Sequence, residues 1–323
     1  MQGKVLPEQS AQAPVYAGVD VCKDWLDIYL HPLGRRWRVA NNRDGLRGLK
    51  RELAGFEIVL VVLEATGKYH RQAHRTLHAA GFPVAVVNPL RSRLFAEAIG
   101  QLAKTDAIDA RMLAIFGEGL APAAQTPTPA SLEALQELVR ARSAATEART
   151  ALKNRRHASQ QRFLKAELKR MIDNAERHIA RLEAEIAKRI EAEPTLARRY
   201  RILTSIPGIG PWAAAALLVD LAELGTCSNK AAAMLAGLAP IACDSGDKAG
   251  ERHIRGGRKT LRTVLYMAAV AATRVNTDLA AFYKRLITNG KKPKVALTAV
   301  MRKLVNLANT LVKEDRNWQP SYP

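Results

Sequence analysis

The chain is 323 residues long and 48% hydrophobic, and its 50 Lys and Arg against 30 Asp and Glu give a formal net charge of +20 at pH 7. That length is enough to bury more than one core, and that charge points to a polyanionic partner, DNA or RNA first, whose bound counterions are released on complex formation. Cys22, Cys227 and Cys243 are widely separated and form no CxxC pair, which argues against a disulfide framework or a zinc ribbon; with no signal-like start and no apolar run of spanning length, the expectation is a cytoplasmic protein with no membrane partner.

Residues 1–13, rich in Gln and Ala, read as a disordered tail. Over 14–120 the pattern alternates strands and helices. Strands are expected at Val15–Val21, Trp25–His31, Arg36–Asn41, Glu57–Leu63 and Pro83–Val87, and helices beginning near Gly45, Tyr69, Leu90 and Thr105. The first three strands predict an antiparallel meander, and the last two, each reached through a helix, should join the sheet parallel. The run Ile58–Leu63 is too continuously apolar for a half-wet edge and belongs in the middle of a sheet covered on both faces. This order of elements resembles an RNase H-like fold, and the class is α/β here with an all-α remainder.

Four acids stand out in this basic chain. Asp20 closes the first strand run, Glu64 follows the fourth, and Asp106 and Asp109 share one face of a helix by their i, i+3 spacing. Mg²⁺ takes oxygen ligands in near-octahedral geometry and is held by carboxylates converging from several elements, so the pattern points to metal-dependent phosphate-ester chemistry. The competing account treats each acid as an ordinary strand-end or helix-surface residue. His70, His74 and His78 recur at i, i+4 and i+8, a spacing that can hold zinc; with Arg71 and Arg75 between them and no further ligand nearby, a polar helix face is the favoured reading.

The proline-dense segment 121–130 reads as a linker, and 131–193 as a coiled coil with Leu168, Ile172, Ala175, Ile179, Leu182 and Ile186 as its seam, ended by Pro194. The basic stretch from Lys153 to Arg170 either lies along nucleic acid or forms a solvated charged face. In the remaining helical region, 194–323, Leu203–Trp212 looks like a helix-hairpin-helix. There Gly208 and Gly210 permit a tight turn, and the following helix start can bind a phosphate without reading bases; a pure packing hairpin is the alternative. The segment 240–259 alternates glycines with Lys248, Arg252, His253, Arg255, Arg258 and Lys259, which suits close approach to a phosphodiester. Ser245 is the hydroxyl at its centre, and from the residues alone it reads as a turn serine.

Asp20 in GVDVCK, Glu64 in LEATGKY, Asp106 and Asp109 in KTDAIDARMLA, then IPGIG and the block from DSG to IRGGRKTLRTVLYMAA, together resemble the insertion-sequence one-ten family of transposases, the bridge-RNA-guided DNA recombinases. The resemblance spans roughly residues 15–310. It implies an RNase H/RuvC-like domain whose acids Asp20, Glu64, Asp106 and Asp109 bind Mg²⁺, and a C-terminal transposase domain whose Ser245 attacks DNA to form a phosphoserine ester. It also implies homo-oligomers from dimer to tetramer, and a structured RNA that pairs with donor and target DNA. Two other readings stay open at this point: a RuvC-like nuclease or junction resolvase that uses water, and a non-catalytic nucleic-acid scaffold.

Overall fold

The computed structural model describes residues 14–103, 105–244, 250 and 252–320. The expected tail and the positions Ser245 and Lys248 lie outside the described residues. The chain divides into two compact units, Met1–Thr128 and Pro129–Pro323.

In the first unit β1 (Val15–Val21), β2 (Trp25–His31) and β3 (Arg35–Ala40) are followed by α1 (Arg43–Leu53), β4 (Ile58–Glu64), α2 (His70–Ala79), β5 (Val84–Val87), α3 (Pro89–Ala98) and α4 (Asp106–Leu120). The five strands form one mixed sheet in the order β3-β2-β1-β4-β5. The meander pairs antiparallel, and β4 and β5 join parallel, as the strand and helix pattern predicts. Two-residue periodicity sorts the side chains of β1. Val15, Ala17, Val19 and Val21 pack with Leu46, Leu49 and Leu53 of α1 and Leu77 of α2, whereas Tyr16 turns to the opposite face with Leu60, Val62 and the α4 residues Leu113 and Phe116. Both faces of the central strands are therefore covered, which explains why β4 reads as continuously apolar. Element ends differ from the sequence expectation by one or two residues because caps, not apolar periodicity, set them. The side chain of Asn42 accepts from the Asp44 and Gly45 amides and starts α1 earlier, and Thr105 accepts from the Ile108 amide to start α4.

The expected linker is partly docked. The Gln125 amide donates to the Val84 carbonyl at 2.8 Å and its side chain reaches the Val86 carbonyl at 3.2 Å, so Gln125 docks on β5, and the segment to Thr128 belongs to the first unit. His74 Nε2 bonds the Gln125 carbonyl at 2.8 Å, which gives that histidine a structural task in place of zinc ligation.

The second unit is built from helices. α5 (Ala130–Ala158) and α6 (Arg162–Glu191) are joined by residues 159–161 and pack against each other as an antiparallel hairpin, with Arg142 pairing Glu183 and Lys153 pairing Glu176. The α6 seam of Leu168, Ile172, Ile179 and Ile186 is buried. Its partner is α5 of the same chain, so the heptad pattern is taken up within the chain. α7 (Pro194–Ser205), α8 (Pro211–Asp220), α9 (Asn229–Leu235), the short pair β6 (Pro240–Ile241) and β7 (His253–Ile254), α10 (Lys259–Val275), α11 (Thr277–Thr288) and α12 (Pro293–Lys313) follow. α8 is buried almost all round, from Ala213 to Val219. α12 is long and apolar enough by length and composition to cross a membrane, contrary to the expectation that no stretch would be. Its Val300, Leu304, Val305, Ala308 and Leu311 are fully buried in the core of this unit, and burial against protein accounts for that composition.

Candidate active site

The four acids meet for reasons that can be followed along the chain. The parallel ladder between β1 and β4 ends with Val19 opposite Leu63, so Asp20 and Glu64 are the next residues at the same end of the sheet. Each is two residues beyond one that faces α4. A Cβ placed on Gly18 would overlap the Ala110 carbonyl oxygen and the Ala114 nitrogen, and one placed on Gly117 would come within 2.9 Å of Val62 Cγ2. α4 thus lies directly on the backbone of β1, and it starts at the sheet end where the strand acids stand. Its first turn carries Asp106 and Asp109.

Electrostatics record the convergence. The Asp20 carboxyl is pushed up from 3.8 to about 6, first by burial and then by repulsion from Asp109, Glu64 and Asp106, against a lowering bond from the Val21 amide at 3.0 Å. It is only 9% exposed. A buried carboxylate crowded by three others is a site that a cation would relieve, and an all-oxygen donor set suits a hard divalent ion. Glu64 and Asp109 together line a cavity of about 390 Å³ with Ser92, Arg93 and Met112.

Three neighbours escaped the sequence reading. The Cys22 thiol lies with the Asp20 and Asp106 carboxylates in a group whose ligand atoms are all within 4.8 Å of one another, the one such group of His, Cys, Asp or Glu among the described residues. Burial and the adjacent Asp20 push that thiol up, so it stays protonated and is a poor ligand for a hard ion. Arg38 on β3 forks onto Asp27, with bonds of 2.9 and 2.8 Å, and also reaches Asp106 at 3.1 Å. Ser92 on α3, buried, donates to Glu64 at 2.8 Å, with the Pro89 carbonyl as a second acceptor at 3.0 Å. These hold the acids in place from outside. The cross-strand register of Asp27 with Arg38 was the one signal available in the sequence, since an acid and a base facing each other across a meander form an ion pair.

In the second unit the predicted residues separate into two groups. Arg255 and Lys259 are exposed, and Arg252 is exposed with Asp244 at 3.6 Å. Arg258 differs from the expectation. Its guanidinium is engaged inside the fold, bidentate to Glu223 at 2.6 and 2.8 Å and donating to the Asp220 carbonyl at 2.7 Å. Burial pushes the Glu223 carboxyl up, but the bonds from Arg258 outweigh it and hold it below its ordinary value. Gly208 has φ +105°, and a Cβ there would stand 2.5 Å from Ala272 Cβ, so its lack of a side chain lets the turn seat on α10; the space around Gly210 is open. Arg258→Ala is expected to lower stability by about 1–3 kcal/mol, between the values for exposed and for fully buried pairs because both side chains stay over a third exposed. It should leave the salt dependence of DNA binding unchanged, whereas Arg255→Ala or Lys259→Ala should reduce that slope by about one. Denaturant titration and binding isotherms at several salt concentrations check both.

Comparison with known proteins agrees with this arrangement. Residues 17–163 match the family model of the DEDD-type IS110 transposase domain, and residues 200–284 match that of the transposase IS116/IS110/IS902 family. The chain is 29% identical over 315 residues to the pilin gene-inverting proteins of Moraxella bovis and Moraxella lacunata, covering 93% of this chain and 96% of each relative. It is 32% identical over 145 residues to the uncharacterized 43.6 kDa protein of insertion element IS110 from Streptomyces coelicolor, covering 44% of this chain and 35% of that one. A DEDD-type domain implies use of a divalent metal, and the cluster around Asp20 and Asp106 is a fitting place for it. With both family models matched in order along one chain, and with acids gathered at one end of a mixed sheet, the protein belongs to the IS110 family of transposases and is an enzyme of DNA recombination.

Proposed function

We propose that this transposase cuts and rejoins DNA through a covalent phosphoserine intermediate, with Ser245 as nucleophile and Asp20, Glu64, Asp106 and Asp109 as the ligands of Mg²⁺. The observation that carries the metal half is the Asp20 carboxyl, raised to about 6 by burial and three neighbouring carboxylates. An RNase H/RuvC-like reading of the first unit is supported by the sheet order and by acids standing at the ends of β1 and β4 and at the start of α4. Residues 14–120 would then form the DEDD domain, the α5–α6 hairpin the connector, and residues 194–323 the serine-bearing domain.

Serine is a weak nucleophile at neutral pH, so the reaction needs help at both the attacking and the leaving oxygen. Mg²⁺ supplies charge neutralisation for those oxygens when it is bound. The four carboxylates would hold the ion, with Arg38 bonded to Asp106 and Ser92 bonded to Glu64 keeping those two in place. Ser245 Oγ bonds to phosphorus, the bond from phosphorus to the leaving sugar oxygen breaks, and the hydroxyl proton passes through solvent to that oxygen. One phosphoester replaces another, so reversal reseals a strand without ATP. Exposed Arg252, Arg255 and Lys259, with Lys248, would face the DNA phosphates. A structured bridge RNA that pairs with donor and target would choose the sequence, which the family resemblance implies and the +20 charge favours, with the chain acting as a homo-oligomer from dimer to tetramer.

The acid cluster alone would suffice for hydrolysis by water, so the test must separate the two nucleophiles. On a nicked suicide substrate, wild-type protein is expected to become covalently attached to labelled DNA and to survive denaturation, and Ser245→Ala to lose the adduct while still binding DNA. An adduct that persists in the variant moves the nucleophile to another side chain, and cleavage without any adduct leaves a metal-dependent nuclease that uses water; either result rejects the serine.

A further inference from the structure

The far end of the α5–α6 hairpin carries a feature that the acid cluster and the serine loop do not use. Lys153, Arg156 and His157 of α5 and Lys165 of α6 line a cleft of about 440 Å³, and every residue lining it is basic. Lys153 is paired with Glu176 at 2.8 Å. Among the described residues, no carboxylate lies within ion-pairing distance of Arg155, Arg156, Arg162 or Lys165, and all four are exposed. Uncompensated charge of one sign gathered around a concave wall is costly without a counter-charge, and it focuses potential toward an anion.

Phe163 stands in the first turn of α6 at this same end and is 77% exposed, the highest value for any large apolar side chain among the described residues. The hairpin does not need it. The packed seam begins at Leu168, and Phe163 belongs to a neighbouring row with Glu167 and Met171, Met171 being itself 53% exposed. An aromatic ring kept in water beside unpaired cations suits a ligand that offers both a flat apolar face and a negative charge. An unpaired nucleotide has both; a duplex buries its base faces, and an acidic peptide lacks the flat ring.

We propose that this end of the hairpin is a binding site for an unpaired nucleic-acid strand, with the cleft of Lys153, Arg156, His157 and Lys165 receiving a phosphodiester and Phe163 stacking on a base of the same strand. The inference rests on the reading of this protein as a nucleic-acid enzyme but not on the identity of its nucleophile.

The test uses the full chain without divalent ion, and labelled RNA and DNA oligonucleotides of one sequence, each single-stranded and annealed to its complement. Phe163→Ala is expected to weaken single-strand binding roughly fivefold to a hundredfold with an unchanged salt slope, and Phe163→Trp to retain it. Arg156→Ala should weaken binding and lower the salt slope by about 0.7 for the lost phosphate contact. A loss seen with RNA alone, DNA alone or both supports the site and identifies its source. Unchanged single-strand affinity in both alanine variants overturns it. So does an equal loss for duplex, or a change in sedimentation with oligonucleotide binding intact, which would make the tip a contact between copies of the chain. Because the readout is binding without divalent ion, it is independent of the covalent adduct that tests Ser245, so failure of the serine mechanism and failure of this site are read separately.

Discussion

Asp20→Asn is expected to abolish Mg²⁺-dependent strand cleavage and, at the same time, to make the metal-free protein more stable at neutral and alkaline pH. The folded carboxyl is held near 6 against 3.8 in an open chain, so ionising it opposes folding. The penalty is absent below about 4, grows as pH rises between these values, and is complete above about 6. After allowance for water reaching the open side of the cluster it is worth about 2 kcal/mol, or several degrees in melting temperature. Asparagine keeps an acceptor for the Val21 amide and removes the charge. Added Mg²⁺ should invert the order at pH 8, stabilising wild type and leaving Asp20→Asn unmoved, and the apparent affinity of wild type for the ion should fall below pH 6 as the proton competes. Cleavage of labelled DNA with and without Mg²⁺ checks the first effect, and thermal melts across pH, with and without the ion, check the rest. A variant no more stable than wild type in the absence of metal would mean that the four carboxylates do not crowd one another in solution.

Gly18→Ala should damage both the fold of the first unit and its acid cluster. The added carbon would overlap backbone atoms of Ala110 and Ala114, and backbone cannot swing aside as the end of a long side chain can. The helix must lift from the sheet, and overpacking of this kind costs about 3 kcal/mol or more, beyond the usual range for an added methylene. Since α4 carries Asp106 and Asp109, the same displacement separates them from Asp20 and Glu64. Loss of the Mg²⁺-dependent thermal shift is therefore expected even in whatever fraction stays folded. Gly48→Ala is the matched control: it lies within α1 with nothing within 4 Å of the added carbon, and it should be neutral or stabilising by about 0.5–1 kcal/mol. Denaturant melts of the two variants side by side decide the matter, and equal stabilities would contradict the close seat of α4 on β1.

Much of the first unit could be read from the chain because its signals are local. Alternation in β1 and the unbroken apolar run of β4 specify one strand covered on two faces and its neighbour, and Asp20 and Glu64 stand out as acids at the ends of such runs. The i, i+3 spacing placed Asp106 beside Asp109 in the same way. Side chains whose partner is distant in sequence were misread or missed. Arg258 resembled the other cations of its segment, and nothing nearby indicated that Glu223, 35 residues earlier, would take its guanidinium. The regular seam of α6 specified a helical partner but not which chain would supply it. Gln125 lay in a proline-dense stretch typical of a linker, yet β5 had an edge free to receive it.

By itself, then, the order of amino acids determined which segments are strands and helices, which face of each turns inward, and that four carboxylates stand among fifty cations. Periodicity and capping act over a few residues and are written directly in the chain. The tertiary structure alone decided that α4 rests against Gly18 with its first turn beside Asp20, that Arg38 and Ser92 steady the acids, and that Arg258 faces inward while Arg255 and Lys259 face water. Those outcomes depend on which remote surfaces exclude water together, and the free energy of such contacts belongs to pairs of segments that no local window contains.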